Sequence, residues 1–201
     1  MFQTTTIRCL SPKNFHKENF AIAKQLLTSP KIKAMLDVII YAEGTGKYGA
    51  GTLVHGIVVG FVKSPKNPAW QNWVTNKVHT KNIQITDFSR HPYVLVRLSK
   101  TLKSTAAGKY QFLQRTWDSL KGVPDFTAKS QDIAAVMLMQ RRKMIVPLLN
   151  GNVKQASNNG ANEWASLPNK NGKSAHGQPV KKIKDLLSIY NTALAKHKSA
   201  K

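Results

Sequence analysis

Apolar residues recur three and four positions apart at Ile32, Met35, Leu36, Ile39 and Ile40, with Lys31, Lys33 and Asp37 between them. That spacing predicts an amphipathic helix with one buried stripe. Ser29-Pro30 suits its start, because a hydroxyl can cap the first turn and proline's missing donor would be unpaired there anyway, and Gly44 suits its end. Ser11-Pro12 predicts an earlier, less apolar helix carrying Lys13, Lys17 and Lys24. From Leu53 to Phe88 the pattern changes. His55-Gly-Ile-Val-Val-Gly-Phe-Val and Asn82-Ile-Gln-Ile-Thr-Asp-Phe are β-branched and partly alternating, which predicts paired strands joined by a long, proline-marked connection. Helical spacing returns with Tyr110, Leu113, Trp117 and Leu120, then with Ile133, Val136, Met137, Met144 and Ile145. It returns a last time from Val180 through Ile183, Leu186, Leu187, Tyr190 and Leu194. Residues 168–179 read as a loop.

At 201 residues with 41% hydrophobic content, the chain is large enough for one core and apolar enough to offset the entropy of ordering it. We divide it into a basic helical extension over residues 1–28, expected to be an accessory, and a main domain over 29–201 with an insertion at about 57–85. No apolar run reaches the roughly 18 residues that cross a bilayer, so no transmembrane segment is expected. The amino terminus lacks the pattern of a secretory signal. A single cysteine, Cys9, excludes an internal disulfide. Against 9 acids the chain sets 31 lysines and arginines, a net charge of +22 that should draw it to polyanions, whether nucleic acid, anionic lipid or envelope polymer.

Gly44-Thr-Gly-Lys-Tyr-Gly49 has the bare spacing of a dinucleotide-binding loop, but the segment before it is helical rather than strand-like, and no acid follows at ribose distance. We read it as a flexible turn. The histidines, His16, His55, His79, His91, His176 and His197, fall into no metal-ligand spacing, so neither a metal nor another cofactor is expected. Among the nine carboxylates Glu43 stands apart. It ends an apolar helix, where the negative end of the macrodipole and the apolar surroundings both disfavour ionisation. An acid that stays protonated near neutrality can donate to a leaving oxygen, as cleavage of a glycosidic bond requires. A solvated helix-end glutamate is the plainer alternative.

Four ordered motifs carry a resemblance: Met35-Leu-Asp-Val-Ile-Ile-Tyr-Ala-Glu-Gly-Thr45, Leu102-Lys-Ser-Thr-Ala-Ala-Gly-Lys-Tyr-Gln111, Ser130-Gln-Asp132 and Trp164-Ala-Ser-Leu-Pro168. With His55-Gly56 and Thr86-Asp-Phe-Ser-Arg-His-Pro92 they make residues 32 to 196 similar to the bacteriophage lambda endolysin family. The resemblance implies an α+β, mainly helical, lysozyme-like fold with a β-hairpin lobe. It also implies cleavage of peptidoglycan between N-acetylmuramic acid and N-acetylglucosamine, in the manner of a lytic transglycosylase with a 1,6-anhydromuramic acid product. On this likeness Glu43 is the catalytic acid, and Tyr110, Gln111, His55 and Asp87 are substrate-binding candidates. Tyr110 has helix packing as an alternative role. Asp87 is either a second carboxylate across the cleft or a turn residue before Ser89, the turn being preferred. Trp117 and Trp164 are expected in the core.

The chain also departs from the family pattern. Ile57-Val58 and the insertion replace a short hairpin after His55-Gly56, and its Trp70 and Trp73 either stack on sugars or anchor a longer hairpin. Arg90 and Tyr93 flank the His-Pro pair where the family has an acid and an arginine. A hydrolytic muramidase is the nearer alternative and a basic nucleic-acid-binding module the remoter one, although no nucleic-acid motif supports specific recognition. The expected partners are peptidoglycan and, through the basic surface, anionic envelope polymers. The protein is expected to be a monomer made in the host cytoplasm and acting in the periplasm and cell wall after release through a pore.

Overall fold

The computed structural model describes residues 12–47, 49–53, 57–61, 78–79 and 85–200. Its centre is the helix α2 (Pro30–Glu43), whose residues Ile32, Ala34, Met35, Leu36, Val38, Ile39 and Ala42 are all buried. The buried surface is wider than the expected stripe because α2 is covered from several sides. The helix starts at the expected place, with Pro30 in its first turn, although the Ser29 side chain makes no capping hydrogen bond, and it stops at Gly44. That residue takes the left-handed conformation (φ 71°) that a side chain would strain, while Gly44 N–H and Thr45 N–H donate to the carbonyls of Tyr41 and Ile40.

The last helix, α7 (Ile183–Ser199), lies along α2. Asp185 in its first turn and Lys196, His197 and Lys198 in its last complement its dipole. Near its end His197 Nε2 meets Asp37 Oδ2 of α2 at 2.7 Å. Val180, expected within this helix, precedes it.

Between these two helices the described residues form a small sheet, a short 3-10 turn at Gly49–Gly51 and four more α-helices. The strands β1 (Ile57–Phe61), β2 (Val78–His79), β3 (Val94–Arg97) and β4 (Lys103–Ser104) make an antiparallel sheet in the order β2-β1-β3-β4. The arrangement is α+β and mainly helical, as expected, but the strand pairing is different. The described part of the expected second strand, residues 85–88, is irregular; Ile85 N–H donates to Gly51 O, and β1 pairs with β3 instead. Composition marked 82–88 as β-prone, but the partner of β1 was set by which segment the fold brought to its edge.

Two helical expectations are corrected by positive backbone angles. Only α3 (Gln114–Ser119) forms in the region of Tyr110 to Leu120, because Gly108 (φ 78°) and Gln111 (φ 50°) turn the chain before it. Tyr110, Trp117 and Leu120 still share the core. The helix expected through Ile145 is two: α4 (Ala128–Arg141) ends before Lys143 (φ 56°), and α5 (Ile145–Leu149) follows. The helix α6 (Val153–Gly160) was not anticipated from its asparagine-rich sequence; Asn152 caps it by accepting from Gln155 N–H at 3.0 Å.

Residues 12–26 of the amino-terminal extension form α1 (Pro12–Leu26). It does not stand apart. It packs on α4, with Ala23 fully buried and Phe20, Leu26 and Leu27 against the core.

Candidate active site

Glu43 is the last residue of α2, half-buried at the point where the chain turns through Gly44 toward the sheet. Burial raises the pKa of its carboxyl above the ordinary value, because removing water penalises the charged form. Three weaker effects oppose this: the hydroxyl of Ser166, the backbone N–H of Ser166, and the positive charge of Lys181. The Ser166 hydroxyl donates directly to Glu43 Oε1. The result is a partly desolvated acid, held in orientation by one serine and biased toward its protonated form.

The turn after Glu43 is tied to the Tyr-Gln segment. Thr45, only 1% exposed, donates from Oγ1 to the carbonyl of Lys109 at 2.5 Å. The indole Nε1 of Trp164 donates to the carbonyl of the next residue, Tyr110, at 3.2 Å. Ser166 lies two residues beyond Trp164. Three stretches far apart in sequence, Glu43–Thr45, Lys109–Gln111 and Trp164–Ser166, are therefore joined by short polar contacts. A fourth, Gln131 of α4, clamps the same region: its Oε1 accepts from Lys109 N–H at 2.8 Å, and its Nε2 donates to the carbonyls of Ala50 and Phe126 at 3.1 and 2.7 Å. Gly108 passes so close to Gln131 that an added Cβ would stand 2.4 Å from Oε1.

The expected site residues have different fates. Tyr110 is 1% exposed, and its hydroxyl donates to Asp132 Oδ1 at 2.5 Å, with Lys109 paired to the same oxygen. Burial, and then the negative charge of Asp132, push its phenol well above the usual value. A buried, committed phenol presents no face to a sugar, so the substrate-contact expectation for Tyr110 is corrected: it supports the site through its backbone and packing. Gln111 is partly exposed in a left-handed conformation, and its Nε2 donates to the carbonyl of Gly108 at 3.0 Å.

Asp87 is exposed and accepts from Ser89 N–H at 2.8 Å. Ser89, with Arg90 as a smaller contributor, lowers its pKa below the ordinary carboxylate value. That is the geometry of a turn residue, and the bias is toward the ionised form. His55, Trp70 and Trp73 lie outside the described residues. Trp117 and Trp164 are buried, as expected. No group of three or more His, Cys, Asp or Glu positioned for a metal occurs among the described residues.

Sequence reasoning gave no role to Ser166, Thr45, Gln131 or Lys181. Three of them stand inside the quoted motifs, so the signal was present but had no geometry attached. Lys181 belongs to no motif. Its backbone N–H donates to the carbonyl of Ser166 at 3.0 Å, and its ammonium lies 5.3 Å from the ring centroid of Tyr41, two residues before Glu43.

A mainly helical α+β domain, with a small antiparallel sheet and a half-buried glutamate ending its central helix, defines a lysozyme-like protein. The Endolysin family matches residues 33–197, and the chain belongs to that family. It is 33% identical to the endolysin of Escherichia phage lambda over 166 residues, covering 80% of this chain and 89% of that protein. It is 29% identical to the endolysin of Escherichia phage P2, covering 83% and 94%. Bacteriophage lambda lysozyme in complex with a chitohexasaccharide superposes with a TM-score of 0.61 at 33% identity, covering 82% of this chain and 94% of that one. A second structure of lysozyme from bacteriophage lambda gives a TM-score of 0.54 at 31% identity, over 86% and 94%. The helix α1 precedes the matched segment.

Proposed function

We propose that this chain is a lytic transglycosylase that cleaves peptidoglycan between N-acetylmuramic acid and N-acetylglucosamine, with Glu43 as acid and then base. The observation that carries this reading is the half-buried Glu43 carboxyl, biased toward its protonated form and oriented by Ser166. Membership of the Endolysin family supports it, as does the sugar-polymer complex of a lysozyme relative. Glu43 gives its proton to the bridging oxygen as the bond from the anomeric carbon of muramic acid breaks. The sugar's own 6-hydroxyl then attacks that carbon and returns a proton to the Glu43 carboxylate. The products are a free hydroxyl on one fragment and a 1,6-anhydro end on the other, so no water is consumed and no protein nucleophile is needed.

Glu43→Gln should abolish the loss of turbidity that the parent causes in outer-membrane-permeabilised bacteria. Mass spectrometry of the released muropeptides separates the two chemistries: anhydro ends, one water lighter, support the transglycosylase, whereas reducing ends alone would establish the hydrolytic muramidase. The sequence expectations for setting complete the proposal. The protein accumulates in the host cytoplasm, reaches the wall through a separately formed pore, and dwells there on anionic envelope polymers through its +22 charge.

A further inference from the structure

Lys181 is placed at a cost to the acid beside it. An ammonium near a carboxyl favours the ionised form, and its charge does act on Glu43 in that direction, yet a general acid must begin protonated. The position is also well defined. The backbone of Lys181 is fastened to Ser166, the residue that orients Glu43, and its side chain is braced over Tyr41. Attraction to the ring face limits the sweep of a four-carbon stem that would otherwise move freely in water. Tyr41 is 39% exposed, so the ammonium rests at the solvent boundary. Among the described residues Lys181 is in no ion pair.

The polymer supplies what the protein leaves open. In peptide-bearing strands the lactyl carboxyl of muramic acid is closed as an amide, and the negative charge near that sugar lies on the carboxylates of the attached peptide. We propose that Lys181, braced by Tyr41 beside Glu43, binds a carboxylate of that stem peptide and makes the enzyme select glycan whose stem peptides are charged over glycan whose stem carboxylates are masked. The inference rests on the peptidoglycan reading above and names the part of that substrate which Lys181 recognises. Pairing with a substrate carboxylate would also neutralise the ammonium in the complex, so that Glu43 holds its proton more firmly only when the correct substrate is bound.

The test compares kcat/KM on purified peptide-bearing glycan strands before and after their stem-peptide carboxylates have been converted to carboxamides. Taking the ratio of the two substrates cancels any change in Glu43 itself. The parent should favour the strands with free stem carboxylates, and Lys181→Gln should lower that preference about fivefold, the scale of a charge-assisted contact partly screened by water. Tyr41→Leu should lower it in the same direction by less. Lys182→Gln removes an equal charge one residue away and should leave the ratio unchanged. An unchanged ratio in Lys181→Gln, or an equal fall in Lys182→Gln, would overturn the assignment, the second showing a general effect of surface charge. A parent inactive on both strands would overturn the peptidoglycan reading instead.

Discussion

Replacing Ser166 with alanine removes the hydroxyl that donates to Glu43 Oε1 while leaving the backbone N–H of the same residue and the charge of Lys181 in place. A hydrogen bond to a charged group contributes about 1.5–3 kcal/mol when buried. Glu43 is only half-buried and two of its three charge-stabilising partners survive, so a value below that range, about 1 kcal/mol, is the better expectation. That energy favours the ionised carboxylate, and losing it favours the protonated acid by roughly fivefold at a given pH. Activity that requires protonated Glu43 declines as pH rises through its titration, so in Ser166→Ala this alkaline limb should move to higher pH. The maximal rate should fall, because the acid also loses the contact that orients it. Initial rates of turbidity loss from permeabilised cells, recorded for parent and variant across the neutral and alkaline range, read both effects. An alkaline limb that stays in place or moves to lower pH would refute the view that Ser166 restrains the protonation of Glu43.

Three further outcomes follow from the same structure. His91 is fully buried, accepting from Tyr93 N–H at Nδ1 (3.0 Å) and facing the Phe112 carbonyl with Nε2 (2.9 Å), and burial lowers its pKa from 6.5 to about 4. Because the folded value is depressed, the unfolded chain takes up the proton first as pH falls; about 3 kcal/mol of stability present above pH 6.5 should be lost on descending to pH 4. Urea unfolding at several pH values should show this loss, smaller in His91→Gln, and an identical slope in the two proteins would show that another group is responsible. Gly108→Ala should destabilise the fold by about 3–5 kcal/mol, combining a strained left-handed residue with displacement of the Gln131 amide, and lower the melting temperature by about 10 °C. A change under about 2 °C would mean that the clamp yields freely. Deleting residues 1–28 removes α1 from α4 and Phe20, Ala23, Leu26 and Leu27 from the core, and should cost about 3 kcal/mol. An unaltered melting temperature would restore the view of α1 as an accessory.

Local chemistry accounts for what could be read directly from the chain. Ser29-Pro30, the apolar period and Gly44 mark out α2 because start, face and stop are each decided within a turn or two of helix. The unusual position of Glu43 followed from the same facts, since a carboxylate at the end of an apolar helix is disfavoured wherever the rest of the molecule lies. Local pattern failed where a backbone angle interrupted it. Tyr110 and Leu113 have helical spacing with Trp117, but Gln111 at φ 50° leaves Tyr110 in a turn and Leu113 extended before α3, and Lys143 at φ 56° divides one expected helix into two.

What only the tertiary structure decided is everything made by contacts distant along the chain. The partner of β1, the docking of α1, and the bond from Ser166 to Glu43 across 123 residues of sequence have no local signature. Nor does the meeting of Lys181 with Tyr41. A residue's spacing reports the face it will present, which is a property of its own helix or strand. What that face meets depends on how the whole chain closes its core, and the burial that raises the pKa of Glu43 is made there.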